Sequence, residues 1–387
     1  MKRAALIVYA LAVAAVGAFR AWSAPLSWDE QQFYFPAIRT LALRLPHVPL
    51  DYALPQPPAM LIVQATAWRL TGSIILLRVL STLAVIAAVF VAAKICTLST
   101  RSSLLTVLMV GTFPAVLLNA WSMKQHAFTL LFLLAALLSW RRRRIGWTTT
   151  FLALATLTNQ LALALCATFG ILALLRLRRE RSRAAVAELV WICSSVLPLF
   201  ALMAVWHGVQ PPSYAGAFPS IPSARFNPGQ LLLALILAGF WIAPLVVKTG
   251  RLWRPLLVLV PLCLLLLHWN GILRPVGANI YAGAVGPVTN SLRALPGVTL
   301  VAGGTLAALG VLFFRDVPGI EPQLYFLICV AALMRVPYSF ESYYALVVGV
   351  VWPMMADAIG KRRGVIQWIY IASGTAYAML KVMTTGS

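Results

Sequence analysis

Residues Leu130 to Trp140 read LLFLLAALLSW, a run with one hydroxyl and no charge. A helix on the surface of a soluble protein keeps its apolar side chains on one stripe. Here they occupy every face. The stretch from Leu257 to Trp269, LVLVPLCLLLLHW, is apolar in the same way. A strand of a transmembrane barrel would alternate in polarity over about ten residues, and neither run alternates. With 61% of the chain hydrophobic and 10% charged, no single soluble core could hide the apolar surface, and long uncharged runs imply membrane spans. The expected fold is therefore all-α: a polytopic integral membrane protein.

Working outward by hydropathy places helices at about 4–22, 74–93, 103–120, 127–140, 145–158, 161–175, 184–206, 229–247, 255–269, 298–314, 322–336, 343–358 and 365–382, about thirteen in all. The fifth and sixth are short. They are required because Arg141 to Arg144 and the cluster from Arg176 to Arg183 must share a side under the positive-inside rule. The intervening segment then turns back at Thr158-Asn159-Gln160. The first helix follows Lys2 and Arg3, and Ser23-Ala24 loosely passes for a cleavage site. It is expected to remain as an uncleaved signal anchor.

The net charge of +22 is mostly a topology signal. Counting alternate sides from an internal N-terminus places most basic residues inside, where they also attract anionic headgroups of membrane lipids. Nucleic-acid binding is not expected, because no basic stripe interleaved with aromatics lies in a soluble segment. The five cysteines and four histidines are scattered singly, so neither a disulfide nor a zinc site is expected. The preference for Arg over Lys and the richness in Ala and Leu hint at a bacterial inner membrane, with the external side the periplasm.

The same count puts the longest external loop at 23–72, within a single domain of residues 1–387. It carries Asp29, Glu30 and Asp51, three of the nine acids in the chain. Glu30 to Leu45, EQQFYFPAIRTLALRL, has apolar residues at roughly helical spacing and suits a helix lying in the membrane interface. Leu45 to Met60, LPHVPLDYALPQPPAM, holds five prolines and cannot continue a helix. Structured loops beside a membrane are common seats of function.

An acidic pair at the external end of a first span (WDEQQFYFP), an interfacial helix and a Pro-Pro segment (DYALPQPPAML) leading toward the next span resemble the pattern of GT-C glycosyltransferases. Within that superfamily the motifs are most similar to the dolichyl-phosphate-glucose α-1,2-glucosyltransferases, with fainter echoes in FPAVLL, Phe113 to Leu118, and LTNQ, Leu157 to Gln160. The resemblance covers about the first 165 residues in scattered motifs. It implies a GT-C-like fold and transfer of a sugar from a polyprenyl-phosphate-linked donor to a glycan, lipid or protein acceptor on the external face. It also implies Asp29 as the general base. The chain departs from the pattern after FPAVLL, where WSMKQHAF carries Lys124 and His126 in place of an acid.

The residues themselves support an enzyme. A sugar hydroxyl is a poor nucleophile, and in an inverting transfer one carboxylate takes its proton as it attacks the anomeric carbon opposite the leaving phosphate. Glu30 is the alternative base, or orients the acceptor, or pairs with Arg39. The plainer reading of both acids is a helix end in solvent. Asp51 either fixes the Pro-rich loop through an Asx-type hydrogen bond or helps bind the acceptor, with Gln56 beside it in that loop. The donor phosphate needs cations, and the external candidates are Lys124, His126, Arg225, Arg274, Arg293 and Arg335, with Arg39, Arg44, Arg69 and Arg78 in or near the first loop. The plainer reading of each alone is a snorkelling interfacial residue. Arg335 stands out because RVPYSFESYY also offers Tyr338, Glu341, Tyr343 and Tyr344, either a sugar-stacking surface or an aromatic belt. No metal and no other cofactor is expected, since the external acids form no ligand cluster in sequence. A lipid-linked sugar transporter or flippase is the rival class; it would usually show internal repeats or broken, charged helices.

Overall fold

The computed structural model describes residues 2–23, 25–27, 29–47, 50–52, 54–98, 104–217, 229–246, 253–270, 296–317, 319–334, 341–359 and 364–384. The described elements are helical, in the order α1 (Lys2–Ser23), a π-helical turn (Glu30–Tyr34), α2 (Phe35–Arg44), α3 (Ala59–Thr71), α4 (Ile74–Thr97), α5 (Leu104–Thr112), α6 (Pro114–Ala120), α7 (His126–Arg141) and α8 (Ile145–Thr156). A short 3-10 turn (Gln160–Ala162) opens α9 (Leu163–Glu180), followed by α10 (Arg183–Ser194), α11 (Leu197–Trp206), α12 (Pro212–Ala217), α13 (Gly229–Trp241), α14 (Ala243–Val246) and α15 (Trp253–Asn270). The chain closes with α16 (Pro296–Asp316), α17 (Ile320–Leu333), α18 (Glu341–Met354), α19 (Ala356–Ile359) and α20 (Gly364–Thr384).

Each expected span falls on one or two of these helices, and the breaks have local causes. Pro114 at the start of α6 cannot donate to the carbonyls of α5, so the 103–120 span is two helices meeting at Phe113. Pro198 divides the 184–206 span in the same way, between α10 and α11. Four helical segments, Ala4–Ser23, Ile74–Thr97, Gln160–Glu180 and Arg183–Trp206, are long and apolar enough to cross a membrane, and shorter apolar helices accompany them. Leu11, Phe90, Leu174 and Trp191 are among the large apolar side chains left exposed on them, as lipid contact requires. The chain is an integral membrane protein.

The core packs α4 through α7 against α18 and α20, with Val85, Val116, Leu133, Val347 and Trp352 fully buried. Where α13 meets α16 the backbones nearly touch. A Cβ on Gly310 would lie 2.1 Å from the Leu235 carbonyl oxygen, and one on Gly239 would lie 1.7 Å from that of Leu306. Small residues drive such close helix approach in lipid, where no hydrophobic force pulls helices together.

The two arginine clusters expected to share a side do meet. Glu188 accepts from Arg176 at 2.6 Å and lies 3.7 Å from Arg143. Arg141 pairs at the same end with Glu321 at 3.3 Å. At the opposite end the turn expected at Thr158 to Gln160 is capped by Asn159, whose side chain accepts from the Leu161 N–H at 2.9 Å. Gln160 then donates to the carbonyls of Pro55 and Val209. The Pro-rich segment, the Asn159 turn and the loop after α11 thus gather at one end of the bundle.

The first loop contains more helix than the sequence led us to expect. The helix expected over Glu30 to Leu45 is present as the π-turn and α2, and α3 fills 59–71, which hydropathy leaves as the approach to the next span. Its Met60, Leu61, Gln64 and Ala65 form a buried face, of which Leu61 and Ala65 pack with Ile38, Leu41 and Leu54 into a separate small core.

Candidate active site

Ser27 and Glu30 form an S-x-x-E capping box, in which the two residues close each other's free backbone N–H groups. The Ser27 N–H donates to Glu30 Oε2 at 2.9 Å, and the Glu30 N–H reaches Ser27 Oγ at 3.4 Å. Glu30 then points inward. Its Oε2 also accepts from Arg78 of α4 at 2.9 Å and its Oε1 accepts from the Met123 N–H at 2.9 Å. Arg78 further donates to the carbonyls of Pro25 and Arg20. Only 3% of the Arg78 side chain and 2% of that of Glu30 is exposed.

Burial by itself would raise the Glu30 carboxyl toward neutrality. The hydrogen bond and charge of Arg78, with the Ser27 and Met123 N–H groups, outweigh it and hold the group below the ordinary glutamate value. The Glu30–Arg39 pairing weighed from sequence is not formed. Arg39 instead lies over the Phe35 ring, its guanidinium carbon 5.8 Å from the centroid. A residue nine positions along the same helical segment cannot reach a side chain turned into the bundle, whereas Arg78 faces it across α4.

Asp29 takes the other direction. Consecutive residues on a helix are turned by about 100°, so Asp29 lies at the rim while Glu30 lies inside. Its carboxylate accepts from Lys124 Nζ at 2.5 Å, with 30% of the Asp29 side chain and 22% of the Lys124 side chain exposed. Lys124 belongs to the short loop between α6 and α7, which is held from three sides. Trp121 Nε1 donates to the Val13 carbonyl of α1, the Met123 N–H to Glu30, and Gln64 Nε2 of α3 to the Met123 carbonyl.

Next to Lys124 the polar side chains turn inward without partners. Gln125 is wholly buried and neither atom of its amide has a hydrogen-bond partner; His126 is 3% exposed and both its ring nitrogens are likewise unpartnered. Such groups cost free energy unless something satisfies them. The His126 ring packs edge-on to Tyr343 at 5.3 Å between centroids. Tyr34, in the π-turn, is buried, and its hydroxyl is pushed well above the usual phenol range, first by burial and then by neighbouring Tyr343, Asp29, Tyr214 and Glu30. π-Helical turns of this kind recur at functional sites.

Asp51 stands apart from the carboxylate at the rim. Its two oxygens accept from the Ser213 N–H at 2.7 Å and the Ser213 hydroxyl at 2.8 Å, a bond between loops and not an Asx turn within its own. It thereby anchors α12, whose Tyr214 lies within electrostatic range of Tyr34 and Tyr343. Gln56 is buried with its Oε1 unpartnered, while its backbone carbonyl accepts from Tyr52 at 2.7 Å. Glu341 opens α18. Arg225, Arg274, Arg293, Arg335 and Tyr338 lie outside the described residues.

The structure thus brings Asp29, Lys124, His126 and Tyr343 together, engages Glu30 and Asp51 elsewhere, and adds Tyr34, Gln125 and Tyr214. Ser27 and Arg78 were open to sequence reasoning through the capping box and through the rule that a charge inside an apolar helix needs a partner. Tyr34 and Gln125 carry no such signal. Among the described residues no group of three or more His, Cys, Asp or Glu side chains gathers as a metal site.

No family model and no curated protein matches the chain. Among solved structures it is similar to the crystal structure of ArnT from Cupriavidus metallidurans bound to undecaprenyl phosphate. The match has 17% identity and a TM-score of 0.44, covering 98% of this chain and 76% of that one.

Proposed function

We propose that the protein is a membrane glycosyltransferase of GT-C type that moves a sugar from a polyprenyl-phosphate-linked donor to a hydroxyl acceptor, with Asp29 as the general base. The observation that carries this reading is the rim arrangement of Asp29. It is a partly exposed carboxylate beside a lysine, next to buried Gln125 and His126 whose polar atoms have no partner. This end of an apolar bundle is where a water-borne acceptor and a lipid phosphate at headgroup depth can meet.

In the proposed reaction the acceptor hydroxyl donates to the Asp29 carboxylate and passes its proton to it as the hydroxyl oxygen bonds to the anomeric carbon. The bond from that carbon to the phosphate oxygen breaks on the opposite face. Its electron pair stays on the phosphate, and the anomeric configuration inverts. Cations offset the charge that develops there, drawn from Lys124 and, beyond the described residues, Arg293 and Arg335. Tyr343, Tyr34 and Tyr214 supply apolar faces of the kind on which sugars stack. Glu30 is assigned no proton transfer, because three donors already occupy it.

Purified protein in lipid nanodiscs, given a panel of polyprenyl-phosphate sugars and hydroxyl acceptors, is expected to release polyprenyl phosphate in step with glycosylated acceptor. Movement of intact donor across the bilayer with no cleavage would replace this reading with a transporter.

A further inference from the structure

The Asp29 oxygen held at 2.5 Å by the Lys124 ammonium already accepts from a donor, so an acceptor hydroxyl can reach it only when that contact opens. Resting on the glycosyl-transfer reading, we infer that Lys124 is a moving counter-ion. It sits on Asp29 while the site is empty of donor, transfers to the donor's phosphate when that arrives, and so releases the base only in a donor-loaded site.

Three observations lead here. The pair is at the rim, and both side chains are partly exposed, so the lysine stem is free to swing while its backbone stays fixed. Lysine's ammonium is a point charge on a flexible stem, unlike the planar fork of Arg78 locked to Glu30. Next to it in the chain, Gln125 and His126 present buried side-chain polar atoms with no partner, groups that a polar ligand would satisfy.

The sequence of events then balances. The donor is a phosphodiester with one negative charge, and it draws Lys124 from Asp29. The acceptor hydroxyl gives its proton to the freed carboxylate, the new glycosidic bond forms, and the old bond breaks onto the phosphate. That phosphate now carries a further negative charge, facing Lys124. When polyprenyl phosphate leaves, Lys124 returns to Asp29 and helps expel the proton to water. Donor binding therefore precedes acceptor activation.

The test is equilibrium binding of a short-chain polyprenyl phosphate to the full-length protein in nanodiscs, with inorganic phosphate as a second probe. Asp29→Asn is expected to bind the lipid phosphate about two- to fivefold more tightly than wild type, the worth of a partly exposed ion pair, because its lysine is unengaged. Lys124→Met is expected to bind about tenfold or more weakly. In the Lys124→Met background, Asp29→Asn should then change nothing. A purely structural role for the pair would make Asp29→Asn neutral or harmful to binding, never favourable. If wild type binds while Asp29→Asn is no tighter, the moving counter-ion is overturned and the transfer reading stands. If wild type binds no polyprenyl phosphate, both fall. If inorganic phosphate competes as well as the lipid, the site is one for free phosphate and the inference is overturned.

Discussion

Asp29 and Glu30 are neighbours in the chain, yet they enter regions that treat a carboxylate oppositely. Around Glu30 the protein is closed. The side chain is 2% exposed, and donors from α4, from the preceding loop and from the loop before α7 saturate it. Around Asp29 the protein is open along one edge, with 30% of the side chain exposed and Lys124 its one ion-pair partner among the described residues. A carboxylate of the first kind holds three segments in register and is buried out of a substrate's reach. One of the second kind adds little to folding and keeps its chemistry available. In a chain with nine acids, the distinction is made by surroundings and not by residue type.

The largest effect expected from breaking this contrast is on turnover. Asp29→Asn keeps the shape and loses the base, so sugar transfer should fall by about 100-fold or more, while thermal unfolding in detergent moves little. Glu30→Gln should behave the other way, with unfolding at lower temperature and residual activity in whatever fraction stays folded. If Asp29→Asn transferred sugar at near wild-type rates, the base would have to be sought at another residue.

The stability side of the comparison is next in size. Removing one member of a buried ion pair strands the other and costs about 3–5 kcal/mol. Arg78→Met and Glu30→Gln should each destabilise by roughly that amount. The double variant Glu30→Gln with Arg78→Met leaves no stranded charge and should recover part of the loss. Denaturation of the three variants side by side measures the coupling; simple additivity would mean that the pair does not act as a unit.

Acid provides a third, milder perturbation. Because Glu30 has a lower pKa folded than unfolded, its contribution is fully present above the ordinary glutamate value and is lost as pH falls through the lowered folded value. The stability gap between wild type and Glu30→Gln should therefore be constant near neutrality and close only in strong acid, as protonation makes residue 30 neutral in both. A gap that widened on acidification would contradict the assigned direction.

The bundle was largely legible in the sequence because lipid imposes a strict rule: apolar runs of sufficient length become helices. Even the turn at Thr158 to Gln160 followed from hydropathy, with the arginine clusters supporting it. The helix α3 was hidden because its buried face forms only against α2 and the Pro-rich segment, a tertiary fact. Within the site, composition singled out Asp29 and Glu30 together, and nothing in the spacing of acids separates their roles. The capping box does so: Ser27 three residues before Glu30 ties that carboxylate to the backbone and turns it inward. The convergence of Lys124, His126, Tyr34 and Tyr343 depends on segments far apart in sequence, which no local pattern encodes.

The smallest expected effect comes from Arg39, and it sharpens the comparison from the side of the residue passed over. Proximity in sequence makes Arg39 the natural partner of Glu30, nine residues away on the same interfacial segment. The fold gives that place to Arg78 and leaves Arg39 exposed above Phe35 at 5.8 Å. A cation over an aromatic ring at an exposed site is worth about 0.5–1 kcal/mol at most, and no charge is stranded when it is removed. Arg39→Gln should thus unfold within about a degree or two of wild type in detergent, within the small range of surface substitutions, and transfer sugar at nearly the wild-type rate. Equal losses in Arg39→Gln and Arg78→Met would mean that both guanidiniums support Glu30, and the closed region would then extend to the membrane surface. A neutral Arg39→Gln beside a crippled Arg78→Met would confine it to the contact between the capping box, α4 and the Met123 loop.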